Sequence, residues 1–473
     1  MFIWLRTSPK MAIFWLGLSL IVGSGSASAA HSQPVALINA NVLDEDFKGT
    51  TPNQTILIVD DRIVAVGMSG VVEVPQDARV VDLSGKTVIP GLWDAHVHTR
   101  YEGIDHLRLA LIHGITTIRD LGGPWEHLHR LTQWRSEIDS GERLGPRIWT
   151  GGTVLNNPGA NWAHITVVNT PEEGRQAVRR LRREGADFVK VYSQLTPDNY
   201  FAILDEADIQ GLPVDGHLPY ALSPEQAAEA GQRAIEHADN LAVGLSAGSP
   251  QTDADGRPVF ANIVGKLDEK VIAQVAGVFI ANETFLVPTL ALPEHFVRLR
   301  THQEDVRANP ALRFIPRPYL SEWEASLPLT NLAEWQASAL LAQQITISLH
   351  ENGVPILAGT DVIKPFFVPG DALHQELASL VEAGLTEGEA IKAATLIPSQ
   401  MMGVDDSGLI KAGYVADLVV LDQDPLSDIA NSRKIAAVMR AGRLLDGANL
   451  DHMSDEIVAA AAQWNGLPSG RDR

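Results

Sequence analysis

The chain has 473 residues, of which 45% are hydrophobic and 20% charged, and a formal net charge of −21. It is too long for one small domain and supplies a large core, while its thinly spread acidity argues against nucleic acid or an anionic membrane as the main partner, since both demand clustered Lys and Arg. The absence of cysteine excludes disulfides, thiolate ligands and a cysteine nucleophile, so any metal must be held by nitrogen and oxygen.

The N-terminus carries Arg6 and Lys10, an apolar run from Met11 to about Gly23, and small residues through Ala30. That is the layout of a secretory signal over residues 1–29, cleaved near Ala29 or Ala30, because the apolar run is short for a membrane span of roughly twenty residues. Cleavage removes two cations and no acid, taking the charge from −21 to −23. The expected product is exported, periplasmic or extracellular, and free of the membrane.

From Val35 to Val88, short β segments such as Thr55–Val59, Arg62–Val66 and Arg79–Leu83 are separated by turn signals at Asp60-Asp61 and Ser84-Gly85. The same texture returns at Gly413–Asp422 and Ile435–Arg443. Residues 30–88 and 406–450 are therefore expected to build one small β-sandwich domain from both ends, with 451–473 a C-terminal helix or tail.

Across residues 89–405, helical patterns alternate with eight apolar runs: Thr87–Val97, Ile115–Leu121, Arg147–Val154, Asp187–Tyr192, Pro213–His217, Arg233–His237, Thr284–Leu290 and Pro355–Asp361. Eight βα units predict an α/β fold, a (β/α)8 TIM barrel. Pro171–Gly185 shows the helical grammar, opening with Pro and two acids and closing with Gly. The longest interval, Ala291–Gly353, is expected to hold more than one helix and to cap the barrel mouth.

The first run ends in His96-Val97-His98. Strand side chains alternate, so both imidazoles point one way, and if inward they converge at the C-terminal face where barrel enzymes work. By itself this pair is a weak signal that two ordinary satisfied histidines would also give. Lys190 lies mid-run, and burying an unpaired ammonium is costly. Either it snorkels or pairs with an acid, or it points inward with Phe188 and Tyr192 and leaves Val189 and Val191 to pack on helices. The fifth, sixth and eighth runs end in His217, His237 and Asp361, each placed as His98 is placed in the first.

The segments Ile89–His98, Thr116–Asp120, Val189–Tyr192, Gly216-His217, Ile235–His237, Leu357–Asp361 and Gly413–Leu421 resemble the amidohydrolase superfamily. The resemblance is particularly to the branch of imidazolonepropionase-like proteins and metal-dependent Xaa-Pro or Xaa-Arg/Lys dipeptidases, over nearly the whole mature chain. The resemblance implies two divalent metal ions, one on His96, His98 and Asp361 and one on His217 and His237. It also implies a bridging hydroxide, and a Lys190 converted to N6-carboxylysine, an anionic bridging ligand that removes the cost of a buried ammonium. Nitrogen and oxygen donors suit Zn²⁺, with Mn²⁺ or Co²⁺ as substitutes. Asp361 would carry the hydroxide proton to the leaving amine. True imidazolonepropionases lack the fourth-strand lysine, so Lys190 points away from that activity.

The implied function is hydrolysis of a carbon–nitrogen bond in a small molecule, a dipeptide or N-acyl amino acid. The same site could instead take a lactone, carboxylic ester or phosphoester, and a non-catalytic binding barrel is a reading of another class, opposed by six intact ligands. Association into a homo-oligomer is left open. Tyr192 and Tyr220 are candidates to bind a substrate carboxylate or oxyanion, and His164 to line the pocket. His113 reads as a helix C-terminal residue, His374 as a helix–barrel contact and Asp215 as a supporting residue behind the ligands. Arg298, Arg300, Arg307 and Arg313 either select an anionic substrate or solvate the surface.

Overall fold

The computed structural model describes residues 33–159, 164–248, 252–253, 257–327 and 330–466; the signal-like segment lies outside them. Among the described residues, no helix is long and apolar enough to cross a membrane.

Both ends of the chain contribute to one eight-stranded sheet. Val35–Leu43, Thr50–Val59, Arg62–Met68, Arg79–Asp82 and Thr87–Pro90 come from the N-terminal side; Leu418–Leu421, Ile435–Arg440 and Arg443–Asp446 come from the C-terminal side. The halves join where Thr87–Pro90 runs antiparallel to Leu418–Leu421. Alternate residues, among them Leu37, Ile56, Ile58, Val88, Leu418 and Val420, bury together as a core separate from that of the barrel.

The run Thr87–Val97, expected as a single barrel strand, is two strands in space. Gly91 divides it: a Cβ there would lie 2.2 Å from Thr116 Oγ1, and its N–H donates to Asp417 O at 2.8 Å. Thr87–Pro90 stays with the terminal sheet and Leu92–Val97 enters the barrel.

Leu92–Val97, Ile115–Asp120 and Arg147–Thr150 pair in parallel. A second parallel series contains Val154–Asn156, Val189–Val191, Val214–Gly216, Gln232–Glu236 and Phe285–Val287. Asp187 N–H donates to Thr150 O at 2.8 Å and ties the two series together on one side. The eighth run closes the other: Leu357 N–H donates to Leu286 O at 2.9 Å, and Ala95 N–H to Ala358 O at 3.0 Å. That run makes only isolated bridges at Ile356 and Val362 rather than a full strand. Pro355 has no donor, and Asp361 leaves extended geometry at φ 56°. A further strand, Ile165–Val167, absent from the sequence expectation, adds to the edge of Val154–Asn156.

The helices obey local rules. Pro171–Glu184 starts with Thr170 accepting from Glu173 N–H, has Pro at its first position, stops at Gly185 (φ 88°), and buries Val178 and Leu181. Over the mouth lie the helices Ala291–Thr301, Arg317–Ala325 and Leu332–Glu351. The last helix, Gly447–Gln463, starts ahead of the expected residue 451 because Asp446 caps it. Trp464 then stacks on Tyr319 at 5.2 Å, tying the chain end to the cap.

Candidate active site

Six strand-end side chains meet at the barrel mouth. His96, His98, Lys190, His217, His237 and Asp361 all line one cavity of about 830 Å³. Ring centroids lie 5.5 Å apart for His96–His98, 4.9 Å for His96–His237 and 4.6 Å for His217–His237. One oxygen of Asp361, Oδ1, faces the Nε2 atoms of His98 and His96 at 3.2 and 3.5 Å. His96, His98 and Asp361 can thus present ligand atoms within 4.8 Å of one another.

Each imidazole has its Nδ1 committed elsewhere. His96 Nδ1 donates to Glu236 at 2.8 Å and His98 Nδ1 to Gly122 O at 2.8 Å. His217 Nδ1 pairs with Ser193 Oγ at 2.7 Å and His237 Nδ1 with Thr289 Oγ1 at 2.8 Å. Such bonds orient a ring and leave Nε2 as its ligating atom. Three left-handed residues belong to the same place: His237, Thr289 and Asp361 have φ of 65°, 52° and 56°. A left-handed non-glycine residue costs about 1–3 kcal/mol. Here the conformation is held by His237 N–H to Val287 O at 2.8 Å and Asp361 N–H to His96 O at 2.7 Å.

Burial keeps the rings neutral, with His96 held down to about 4 and His217 and His237 well below the usual imidazole value. It also opposes the charge of Asp361, yet Lys364 and His98 together hold that carboxyl well below its ordinary range. Lys190 is 1% exposed, its Nζ has no hydrogen-bond partner, and desolvation pulls it down to about 8. Neutral ring nitrogens, an ionised carboxylate and an orphaned amine form a donor set that fits divalent cations.

Beneath this layer lies a network missing from the sequence reading. Arg119 gives Nη1 to Ala95 O at 2.6 Å and Nη2 to Glu236 at 2.6 Å and Asp215 at 3.0 Å. Asp215 also accepts from Arg233 Nε at 3.0 Å. Asp215 therefore supports His96 at two removes, through Arg119 and Glu236. The available signal was an acid and an arginine inside apolar strand runs, where each needs a buried partner.

Tyr192 and Tyr220 both border the cavity, Tyr192 with its ring 4.0 Å from that of His217. His164 does not, which corrects the expectation. His164 directly precedes the edge strand Ile165–Val167, and it lines a separate cavity of about 170 Å³ with Arg100, Glu126, His127 and Arg130. The four cap arginines are likewise elsewhere: Arg298 on Gln375, Arg300 on Thr330 O and Phe296 O, Arg307 on Glu324, Arg313 on Ser454. The cations that do face the cavity beside Lys190 are Arg257 and Lys364, under a roof containing Phe296, Trp323 and Trp335. His113 Nδ1 donates to Leu109 O after the helix His106–Ile112, and His374 joins Ser432 Oγ and His113 O.

Comparison with known proteins agrees with this geometry. The amidohydrolase family profile matches residues 87–445. The chain is 24% identical to ochratoxinase of Aspergillus niger, covering 83% of each. It is 27% identical to a candidate prolidase from Bifidobacterium longum of known structure, with a TM-score of 0.65 over 90% of this chain and 99% of that one. With a bottromycin amidohydrolase the identity is 25% and the TM-score 0.69, covering 90% of both chains. An α/β barrel whose mouth gathers a His-His-Asp cluster suited to metal, matched by that profile over most of its length, belongs to the amidohydrolase family and is a hydrolytic enzyme acting on carbon–nitrogen bonds.

Proposed function

We propose that this chain is a binuclear metal-dependent hydrolase that cleaves the amide or peptide bond of a dipeptide or N-acyl amino acid. The observation that carries the reading is Lys190, whose amine is buried among four histidines and Asp361 with no hydrogen-bond partner. With its pKa drawn down to about 8, a neutral amine is accessible near neutral pH. It can add carbon dioxide, forming a nitrogen–carbon bond and releasing a proton. The carbamate so formed is an oxygen ligand of the right charge. In this reading His96, His98 and Asp361 would hold one ion and His217 and His237 the other, with Lys190 as a further ligand and Zn²⁺ the first choice for such donors.

Two bound ions would polarise water and the scissile carbonyl. Asp361 takes the proton of the attacking water and delivers it to the leaving nitrogen. Tyr192 and Tyr220, which border the cavity, are assigned as donors to a carbonyl oxygen or substrate carboxylate. Phe296, Trp323 and Trp335 exclude solvent from above. A cavity of about 830 Å³ lies in the upper range for drug-sized ligands, so the substrate carries at least one bulky group. Export, directed by residues 1–29, and the division into a barrel and a small β domain drawn from both ends complete the proposal.

The test is metal analysis of purified protein beside turnover of dipeptides, N-acyl amino acids, lactones, carboxylic esters and phosphotriesters. Close to two ions per chain are expected, with amide turnover lost on chelation and regained on metal addition. Asp361→Asn should lower kcat by about 10²–10⁴, the span of general acid–base catalysis. Turnover of esters alone would replace the amide reading, and full activity without metal would end it.

A further inference from the structure

The two oxygens of Asp361 face different partners. Oδ1 looks at His98 and His96, while Oδ2 lies 3.3 Å from the Nζ of Lys364. If Oδ1 is the ligand atom, Oδ2 is the oxygen left to carry a proton, and an ammonium already sits on it. Lys364 lines the cavity, and its side chain is 20% exposed.

The backbone that presents Lys364 is fixed. Phe367 N–H donates to Lys364 O at 2.9 Å, and His295 Nε2 donates to Pro365 O at 2.8 Å. The buried rings of Phe366 and Phe367 pack against Trp323 and His295. Mobility therefore resides in the four-carbon stem of the lysine, which can swing its ammonium between Asp361 and a ligand in the cavity.

We propose that Lys364 makes the enzyme selective for anionic substrates by occupying the free oxygen of Asp361 until a substrate carboxylate draws it away. The proposal rests on the reading of Asp361 as proton carrier. At 3.3 Å the Lys364 ammonium occupies Oδ2. A substrate carboxylate gives it an equivalent partner, so Oδ2 is released only when the charged substrate is seated. A neutral substrate leaves the pair closed, and the discrimination then appears in kcat as well as in KM.

The experiment compares an N-acyl amino acid with its carboxamide in wild type, Lys364→Met, Lys364→Arg and Arg257→Met, with metal content measured for each. Binding of the free amino acid product is followed by calorimetry. In Lys364→Met the acid-to-carboxamide ratio of kcat should fall by about 30-fold, the scale of one charge-assisted hydrogen bond. The carboxamide should gain rate, product binding should weaken, and metal content should hold; Lys364→Arg should keep the preference. An unchanged ratio in Lys364→Met overturns the proposal, as does a ratio that collapses only in Arg257→Met. Equal losses on both substrates with product binding intact would reduce Lys364 to a structural role. If wild type cleaves esters and no amide, the amide reading fails alone, and the same ratio is taken on acidic and neutral esters.

Discussion

The mouth of the barrel and the layer beneath it bury the same kinds of side chain to opposite ends. Below, Arg119 is fully buried, but its terminal nitrogens are taken by Ala95 O, Glu236 and Asp215, and Arg233 completes Asp215. Above, Lys190 is equally buried and its amine is bonded to nothing. The histidines divide in the same way. His374 spends both ring nitrogens, on Ser432 Oγ at 2.9 Å and His113 O at 3.1 Å, whereas His217 and His237 commit Nδ1 and turn the rest of the ring to the cavity. Burial of charge alone does not mark a site, because paired charges are tolerated in a core. What separates the two layers is the charged head itself, unpartnered at the Lys190 amine and bonded at the terminal nitrogens of Arg119.

Breaking the comparison at its sharpest point, Lys190→Ala should cut turnover by at least about 10³ and lower bound metal, while circular dichroism stays native because a costly buried group has gone. Wild-type metal content and rate in that variant would contradict the contrast drawn here. The junction between the layers is Glu236, which serves both His96 and Arg119. Glu236→Gln should weaken metal affinity by about 10- to 100-fold, the usual effect of removing a ligand's orienting carboxylate, as read by competition with a chromogenic chelator.

Acid sharpens the contrast without mutation. Burial holds His96 and His295 down to about 4 from an ordinary 6.5. Between those values the unfolded chain takes up protons that the folded chain refuses, so stability rises with pH across the window and is lost on acidification. Urea midpoints of metal-free protein should fall in the order pH 7, 5.5, 4.5; a flat series would contradict buried neutral rings. The smallest effect is expected at a histidine with no capacity to spare. His374→Gln should cost about 1 kcal/mol of stability, one or two neutral hydrogen bonds, with metal content and kcat unmoved.

Four of the candidate ligands, His98, His217, His237 and Asp361, are legible in the sequence because they close apolar runs at the same relative position, while a two-residue period assigns the faces of His96 and Lys190. Helices such as Pro171–Glu184 are legible for a similar reason, since cap, first-position proline and terminal glycine are all local. His164 shows where that stops. Its loop reads as lining the mouth, but an edge strand formed with Val154–Asn156 carries it to another cavity. Lys364 and Arg257 were passed over in favour of four cap arginines that the fold spends on neighbours.

By itself the sequence determined the barrel class, the terminal β domain and the order of the strand-end His, Lys and Asp residues. Those depend on periodicity and on capping residues within a few positions of one another. Only the tertiary structure decided that Gly91 splits the first run, that Arg119, Glu236 and Asp215 lock beneath the mouth, and which cations face the cavity. Those outcomes depend on contacts between residues far apart in the chain, such as Gly91 with Asp417 and Arg119 with Glu236, and a one-dimensional pattern carries no information about which distant groups will use up one another's hydrogen bonds.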